Sequence, residues 1–135
     1  MHFRFPQKIL FKHCDPAGIV FYPRYFEIIN DAVEAMFSDL IGWPFEQMHN
    51  GSGVPTATIS VDFTAPSRHG DQIVLDITIQ KLGRSSMILK TVALAGAETR
   101  FVADHVLVCI DDQGRPRPWP APVRKTVNDI LEVVA

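Results

Sequence analysis

Between Pro23 and Ile41 the apolar residues Phe26, Ile29, Val33, Phe37 and Leu40 recur at three- and four-residue steps, and Tyr25, Ala32 and Met36 widen the stripe. The spacing predicts one long, largely buried helix. Pro23 suits its first turn, and Gly42 with Pro44 marks its stop. Beyond a stretch rich in Gly, Ser and Pro (50–55) the period falls to two: Ile59, Val61, Phe63 and Ala65 alternate with Thr58, Ser60, Asp62 and Thr64. Further alternating runs cover Ile73 to Ile79, Met87 to Leu94 and Phe101 to Ile110. The punctuations Leu82-Gly83-Arg84 and Ala95-Gly96-Ala97 are short enough for hairpin connections. An opening strand from about Phe3 to Phe11 completes the sheet. Asp111 to Gly114 has turn chemistry, four prolines keep Arg115 to Pro122 extended, and Val123 to Val134 can close the chain as a short helix.

The order is therefore strand, long helix, four strands. A mostly antiparallel five-stranded sheet can bury such a helix by curling around it, which is the α+β arrangement called the hotdog fold. The other sheet face and the sheet edges would stay exposed in a monomer, so a homodimer joined edge to edge is expected, and a homotetramer built as a dimer of dimers fits the same logic. The 135 residues, 47% of them hydrophobic, suit a single domain spanning 1–135. A formal net charge of -2 gives no general reason to bind nucleic acid or an acidic membrane, so an anionic ligand needs local cations. Two cysteines, Cys14 and Cys109, argue against a disulfide framework. The N-terminus lacks a signal-peptide run, and no segment has the apolar length of a membrane span, so a cytoplasmic location is expected.

Candidate chemistry concentrates in one segment, His13-Cys14-Asp15-Pro16-Ala17-Gly18-Ile19-Val20-Phe21-Tyr22-Pro23-Arg24-Tyr25. It sets a short acid in a Pro/Gly-shaped loop just before a buried helix, whose first N–H groups lack intrahelical acceptors and favour negative charge. Such a pairing suits acyl transfer: Asp15 attacks or activates water, while an N–H at about Tyr22 holds the oxyanion. From the residues alone, an ordinary turn role is the favoured reading of Asp15, since that is what most Asp residues before Pro-Ala-Gly do. His13 could serve as a base or end the strand. His105, beside Asp104 in an apolar strand, reads as a satisfied core or interface histidine. The five histidines and two cysteines are scattered, so no metal site is expected, and no G-x-S-x-G nucleophile elbow is present. Asn50-Gly51-Ser52-Gly53 lacks the features of a phosphate loop.

The block from Asp15 to Tyr25, D-P-A-G-I-V-F-Y-P-R-Y, resembles the signature of the 4-hydroxybenzoyl-CoA thioesterase family of hotdog acyl-CoA thioesterases. That resemblance implies thioester hydrolysis with Asp15 as nucleophile or general base, and the backbone N–H of Tyr22 polarising the thioester carbonyl. Gly18 and Pro23 shape the same site. Related enzymes acting on aliphatic acyl-CoA carry His where Tyr22 stands, which points to an aromatic acyl group. Asn30 stands where the family's 4-hydroxybenzoyl enzyme has an aspartate that binds the ring hydroxyl. An amide can still bond a hydroxyl, though without charge, and Asn30 could instead bond across a dimer interface.

CoA requires basic donors near the surface. The turn Gly83-Arg84-Ser85-Ser86 resembles the family stretch that approaches the CoA phosphates, with Arg84 the foremost cation and Ser85 and Ser86 supplying hydroxyls. Arg68, Arg100 and the Arg124-Lys125 pair are weaker candidates. The reaction implied needs no cofactor or metal, CoA being part of the substrate. A non-catalytic acyl-CoA binding module on the same fold is the alternative, and an enoyl-CoA hydratase lacks its Asp-x4-His dyad here.

Overall fold

The computed structural model describes residues 1–134, with side-chain surroundings through Glu132. Strand β1 (His2–Lys8) leads through a 3₁₀ turn at Phe11–His13 to helix α1 (Pro23–Met36). A short helix α2 (Phe45–Met48) and strand β2 (Ser52–Gly53) follow. The remaining strands are β3 (Thr56–Phe63), β4 (Gln72–Leu82), β5 (Ser86–Ala95), β6 (Glu98–Val108) and β7 (Ile110–Asp111), and helix α3 (Ala121–Val134) ends the chain. The five long strands form one sheet in the order β1-β4-β5-β6-β3, with every neighbouring pair antiparallel. This is the expected hotdog architecture. A separate ribbon pairs β2, within the Gly-, Ser- and Pro-rich stretch, with β7.

Helix α1 buries Tyr25, Ile28, Ile29, Ala32, Val33 and Met36, one stripe at helical spacing. The face is rotated from the expected one: Ile28 takes the inner position and Phe26 is 37% exposed. The stripe packs on inward-facing sheet residues, among them Leu75, Ile77, Leu89, Ala93 and Phe101. Truncating one such isoleucine or leucine to alanine costs roughly 2–5 kcal/mol. The predicted helix continues to Ile41, but its last turn, Phe37–Ile41, is π-helical. Gly42, at a φ of 79°, ends it, with its N–H and that of Trp43 both donating to the Phe37 carbonyl.

Register shifts at Thr56/Thr58, Ile79/Lys81 and Ala93/Leu94 bend three strand pairs, which lets the sheet curl around α1. Strand β1 stops at Lys8, short of the expected Phe11, because the Leu10 N–H turns to His13 Nδ1 at 2.9 Å. Trp119 stacks on Phe37 and donates from Nε1 to the Ser86 carbonyl at 3.0 Å, which docks the proline-rich segment before α3. Both cysteines are free. No helix among the described residues is long and apolar enough to cross a membrane.

Candidate active site

The loop between β1 and α1 closes on itself. The Asp15 N–H donates to the Ile19 carbonyl at 3.0 Å, and the Gly18 N–H donates to the Asp15 carbonyl at 2.9 Å. Cys14 and Val20 form an antiparallel bridge across the loop. Gly18 takes a φ of 81°, a left-handed turn that suits glycine. Asp15 is half-buried, and its Oδ1 accepts the Ala17 N–H at 2.9 Å, which fixes the carboxylate and leaves Oδ2 without a donor among the described residues. The turn role and the chemical role of Asp15 are thus compatible.

The loop delivers the chain to α1 through Phe21, whose N–H donates to the His13 carbonyl at 2.9 Å. Tyr22 precedes α1 and Pro23 occupies its first turn. The N–H groups of Arg24 and Tyr25 fold back onto the Phe21 and Tyr22 carbonyls, whereas the Tyr22 N–H has no acceptor among the described residues. A free donor therefore stands at the positive end of the helix. Tyr22 is 59% exposed. It meets Phe63 edge-on and lines a groove of about 250 Å³ with Ile19, Val20, Tyr25, Phe63 and Pro66. Tyr25 is buried there with an unpartnered hydroxyl, a feature that helical periodicity reads only as core.

Asn30 does not join Asp15 and Tyr22. It is exposed, two turns further along α1, and lines a separate cavity of about 540 Å³ with Val33, Phe45, Val54, Thr56 and His105. His105 departs from the expected satisfied histidine: Nε2 lies 2.7 Å from Thr56 Oγ1, but Nδ1 is buried without a partner. Burial holds its pKa below the ordinary histidine value. The Gly- and Ser-rich residues 50–53 supply Ser52 and Gly53 to this cavity wall. Thr56 carried no signal in the sequence, since only the pairing of β3 with β6 brings it to His105.

His13 is structural. It is buried, its Nδ1 accepts the Leu10 N–H, and burial together with nearby Lys12 lowers its pKa. The 3₁₀ turn also removes the strand geometry that would have set His13 and Asp15 on one side.

The Gly83-Arg84-Ser85-Ser86 turn lies at the cavity's end of the sheet. Ser86 pairs with Val108, whose N–H donates to Pro55, a cavity residue. Arg84 is exposed, and its guanidinium forms no ion pair among the described residues. Ser85 and Ser86 are half-buried, and their carbonyls accept from the Cys109 N–H and from Trp119. Arg124 is committed elsewhere, donating from Nη2 to the Gly83 and Arg84 carbonyls at 2.8 and 3.2 Å. Lys125 pairs with Asp129, and Arg100 with Asp71 and Glu98. Of the weaker cationic candidates, Arg68 alone keeps its guanidinium free among the described residues. No cluster of His, Cys, Asp or Glu among those residues is placed to hold a metal ion.

The chain is 23% identical over 136 residues to a 1,4-dihydroxy-2-naphthoyl-CoA hydrolase of Synechococcus elongatus, covering 98% of this chain and 97% of that protein. It is 28% identical over 85 residues to the 4-hydroxybenzoyl-CoA thioesterase of Pseudomonas sp. strain CBS-3, covering 61% and 60% of the two chains. The structure of a 1,4-dihydroxy-2-naphthoyl-CoA thioesterase from Synechocystis superposes with a TM-score of 0.87 at 20% identity, covering 96% of this chain and 98% of the other. The sequence model of the thioesterase-like superfamily matches residues 9–127. The chain therefore belongs to the thioesterase-like superfamily and is a thioester hydrolase.

Proposed function

We propose that the protein hydrolyses an aromatic acyl-CoA to the free acid and CoA, with Asp15 as the reacting carboxylate. The observation that carries this reading is the pairing, in one closed loop, of a carboxylate oriented through Oδ1 with the uncommitted N–H of Tyr22 at the start of α1. Attack on the thioester carbonyl places negative charge on its oxygen, and a fixed donor there lowers the barrier without reorganisation; losing one such donor costs about 3 kcal/mol in other enzymes.

Two routes use the same geometry. As nucleophile, Asp15 bonds to the acyl carbon, the C–S bond breaks and CoA leaves as thiolate; water then cleaves the mixed anhydride and restores the carboxylate. As general base, Asp15 takes a proton from water while the hydroxide adds to the carbonyl carbon and the thiolate departs. No cofactor or metal takes part in either.

The site is completed by a second copy of the chain. Strand β3 is an edge of the sheet. The Tyr22 groove lies at its Phe63 end, and the Asn30 cavity lies at its Thr56 end. Antiparallel pairing of two β3 edges about their midpoint sets the Phe63 end of each against the Thr56 end of the other. Asp15 and Tyr22 of one copy then face the acyl cavity and the Arg84 turn of its partner, where Arg84, Ser85 and Ser86 approach the CoA phosphates. On the outer sheet face, half-buried Ile88, Val92, Val102 and Val106 supply apolar surface for pairing two dimers.

A panel of benzoyl-, hydroxybenzoyl-, phenylacetyl- and aliphatic acyl-CoA thioesters tests the reading through thiol release. Higher kcat/KM on the aromatic members supports it. Preference for the aliphatic ones contradicts the substrate class, and tight CoA-thioester binding without turnover contradicts catalysis.

A further inference from the structure

The cavity that holds Asn30 is lined by no Lys, Arg, Asp or Glu, so its polar groups are neutral ones suited to an uncharged ligand group. Ser52 Oγ accepts from the charged Arg117 guanidinium, and His49 packs on Phe45. The polar groups without a charged partner are Asn30 and the Thr56-His105 pair. His105 is 4% exposed and lies in β6 opposite Ile59, so its ring is held by the sheet.

Nδ1 is buried with no partner among the described residues, and Nε2 lies 2.7 Å from Thr56 Oγ1. We assign the imidazole hydrogen to Nε2, where it is donated to Thr56 Oγ1 and no buried N–H is left unpaired. With its oxygen accepting from His105, the Thr56 hydroxyl keeps its own hydrogen for another acceptor. Thr56 stands at the exposed edge of the sheet and on the cavity wall, and no acceptor for that hydrogen is present among the described residues.

We propose that Thr56, oriented by His105, reads a ring hydroxyl on the acyl group and so sets the substrate preference of this cavity. The assignment rests on the aromatic acyl-CoA reading above. The Thr56 O–H donates to the phenolic oxygen, and the phenolic O–H passes to the Asn30 amide oxygen. A hydroxyl is matched in both directions without a charged partner, whereas a carboxylate would meet the amide oxygen with no hydrogen to offer. Thr56 is a specificity residue and His105 a positioning residue.

The test compares kcat/KM for 4-hydroxybenzoyl-CoA and benzoyl-CoA in wild type, Thr56→Val and Thr56→Ser. Wild type is expected to favour the hydroxylated thioester, Thr56→Val to lower that ratio by about tenfold, and Thr56→Ser to retain it. His105→Leu should lower the ratio in the same direction, and a thermal melt of each variant identifies any that fail to fold. A wild-type ratio near unity, or an unchanged ratio in folded Thr56→Val, overturns the assignment while leaving the aromatic acyl-CoA reading intact. If wild type hydrolyses neither thioester the assignment falls, and preference for aliphatic thioesters would overturn the underlying reading as well.

Discussion

Arg100 Nη1 lies 2.8 Å from Asp71 Oδ2, and this pair organises the segment that backs the Asp15 loop. The same guanidinium nitrogen donates to the Pro66 carbonyl and to Ser67 Oγ at 3.1 and 3.0 Å. Asp71 Oδ2 in turn accepts the Arg68 N–H at 2.9 Å. The Ser67 carbonyl accepts the Val20 N–H, and Arg68 bridges Ile19, so the arginine reaches the Asp15 loop through one layer of backbone. Glu98 Oε1 lies 2.7 Å from Nε as an ion pair, but Nε makes no directed hydrogen bond, so Asp71 is the stronger partner.

Replacing Arg100 with methionine keeps much of its apolar stem and removes these bonds. The expected cost is about 2 kcal/mol in a denaturant titration, with lowered thioesterase activity because the Ile19–Val20 arm loses its backing. A fully active, equally stable Arg100→Met protein would show that the loop holds itself.

His13 gives the fold an acid-side dependence. Its folded-state pKa lies below its unfolded value, because burial and Lys12 disfavour the charged ring. The stability from neutral His13 is complete above the unfolded pKa of about 6.5 and is lost as pH falls through the lower folded value. Protonation also takes the lone pair that receives the Leu10 N–H. Melting temperature should fall as pH drops below about 6.5, less steeply in His13→Asn. His105 shifts in the same direction and adds to the slope. Asp71, held below its usual value first by Arg100 and then by the Arg68 N–H, contributes stability that is lost only at lower pH, below about 3.9. Equal slopes in wild type and His13→Asn would remove His13 from the account.

Arg84→Ala should raise KM for a CoA thioester by about fivefold with little change in kcat, as fits an exposed cation on a phosphate. The difference should shrink as salt rises. An unchanged KM at low salt would assign the nucleotide end to other residues.

What could be read from the chain divides by how local each feature is. The Asp15-to-Tyr25 block lies in consecutive residues, so acid, turn and helix start are legible together. Strand alternation likewise reveals the sheet, because each run carries its own period. Adjacent apolar residues Tyr25, Phe26, Ile28 and Ile29 leave the facing of α1 ambiguous, and packing settles it in favour of Ile28. Thr56 and His105 are 49 residues apart and meet only through the register of two strands. Arg100 looks like any surface cation until its partners at 66–71 fold against it.

A shared site predicts complementation. Asp15→Asn removes the reacting carboxylate, and Asn30→Trp fills the acyl cavity, so each should be inactive alone. Co-expressed, they form heterodimers with one intact site, and activity should return to about a quarter of wild type. A mixture as inactive as its parents would place both residues in a site within one chain.

The most direct measurement is steady-state turnover of an aromatic acyl-CoA by Asp15→Asn. The substitution is nearly isosteric, and Asn Oδ1 can still accept the Ala17 N–H. We expect the circular dichroism spectrum to be retained and kcat to fall at least about a thousandfold. A folded Asp15→Asn protein that turns over at the wild-type rate would contradict the assignment of Asp15 as nucleophile or base.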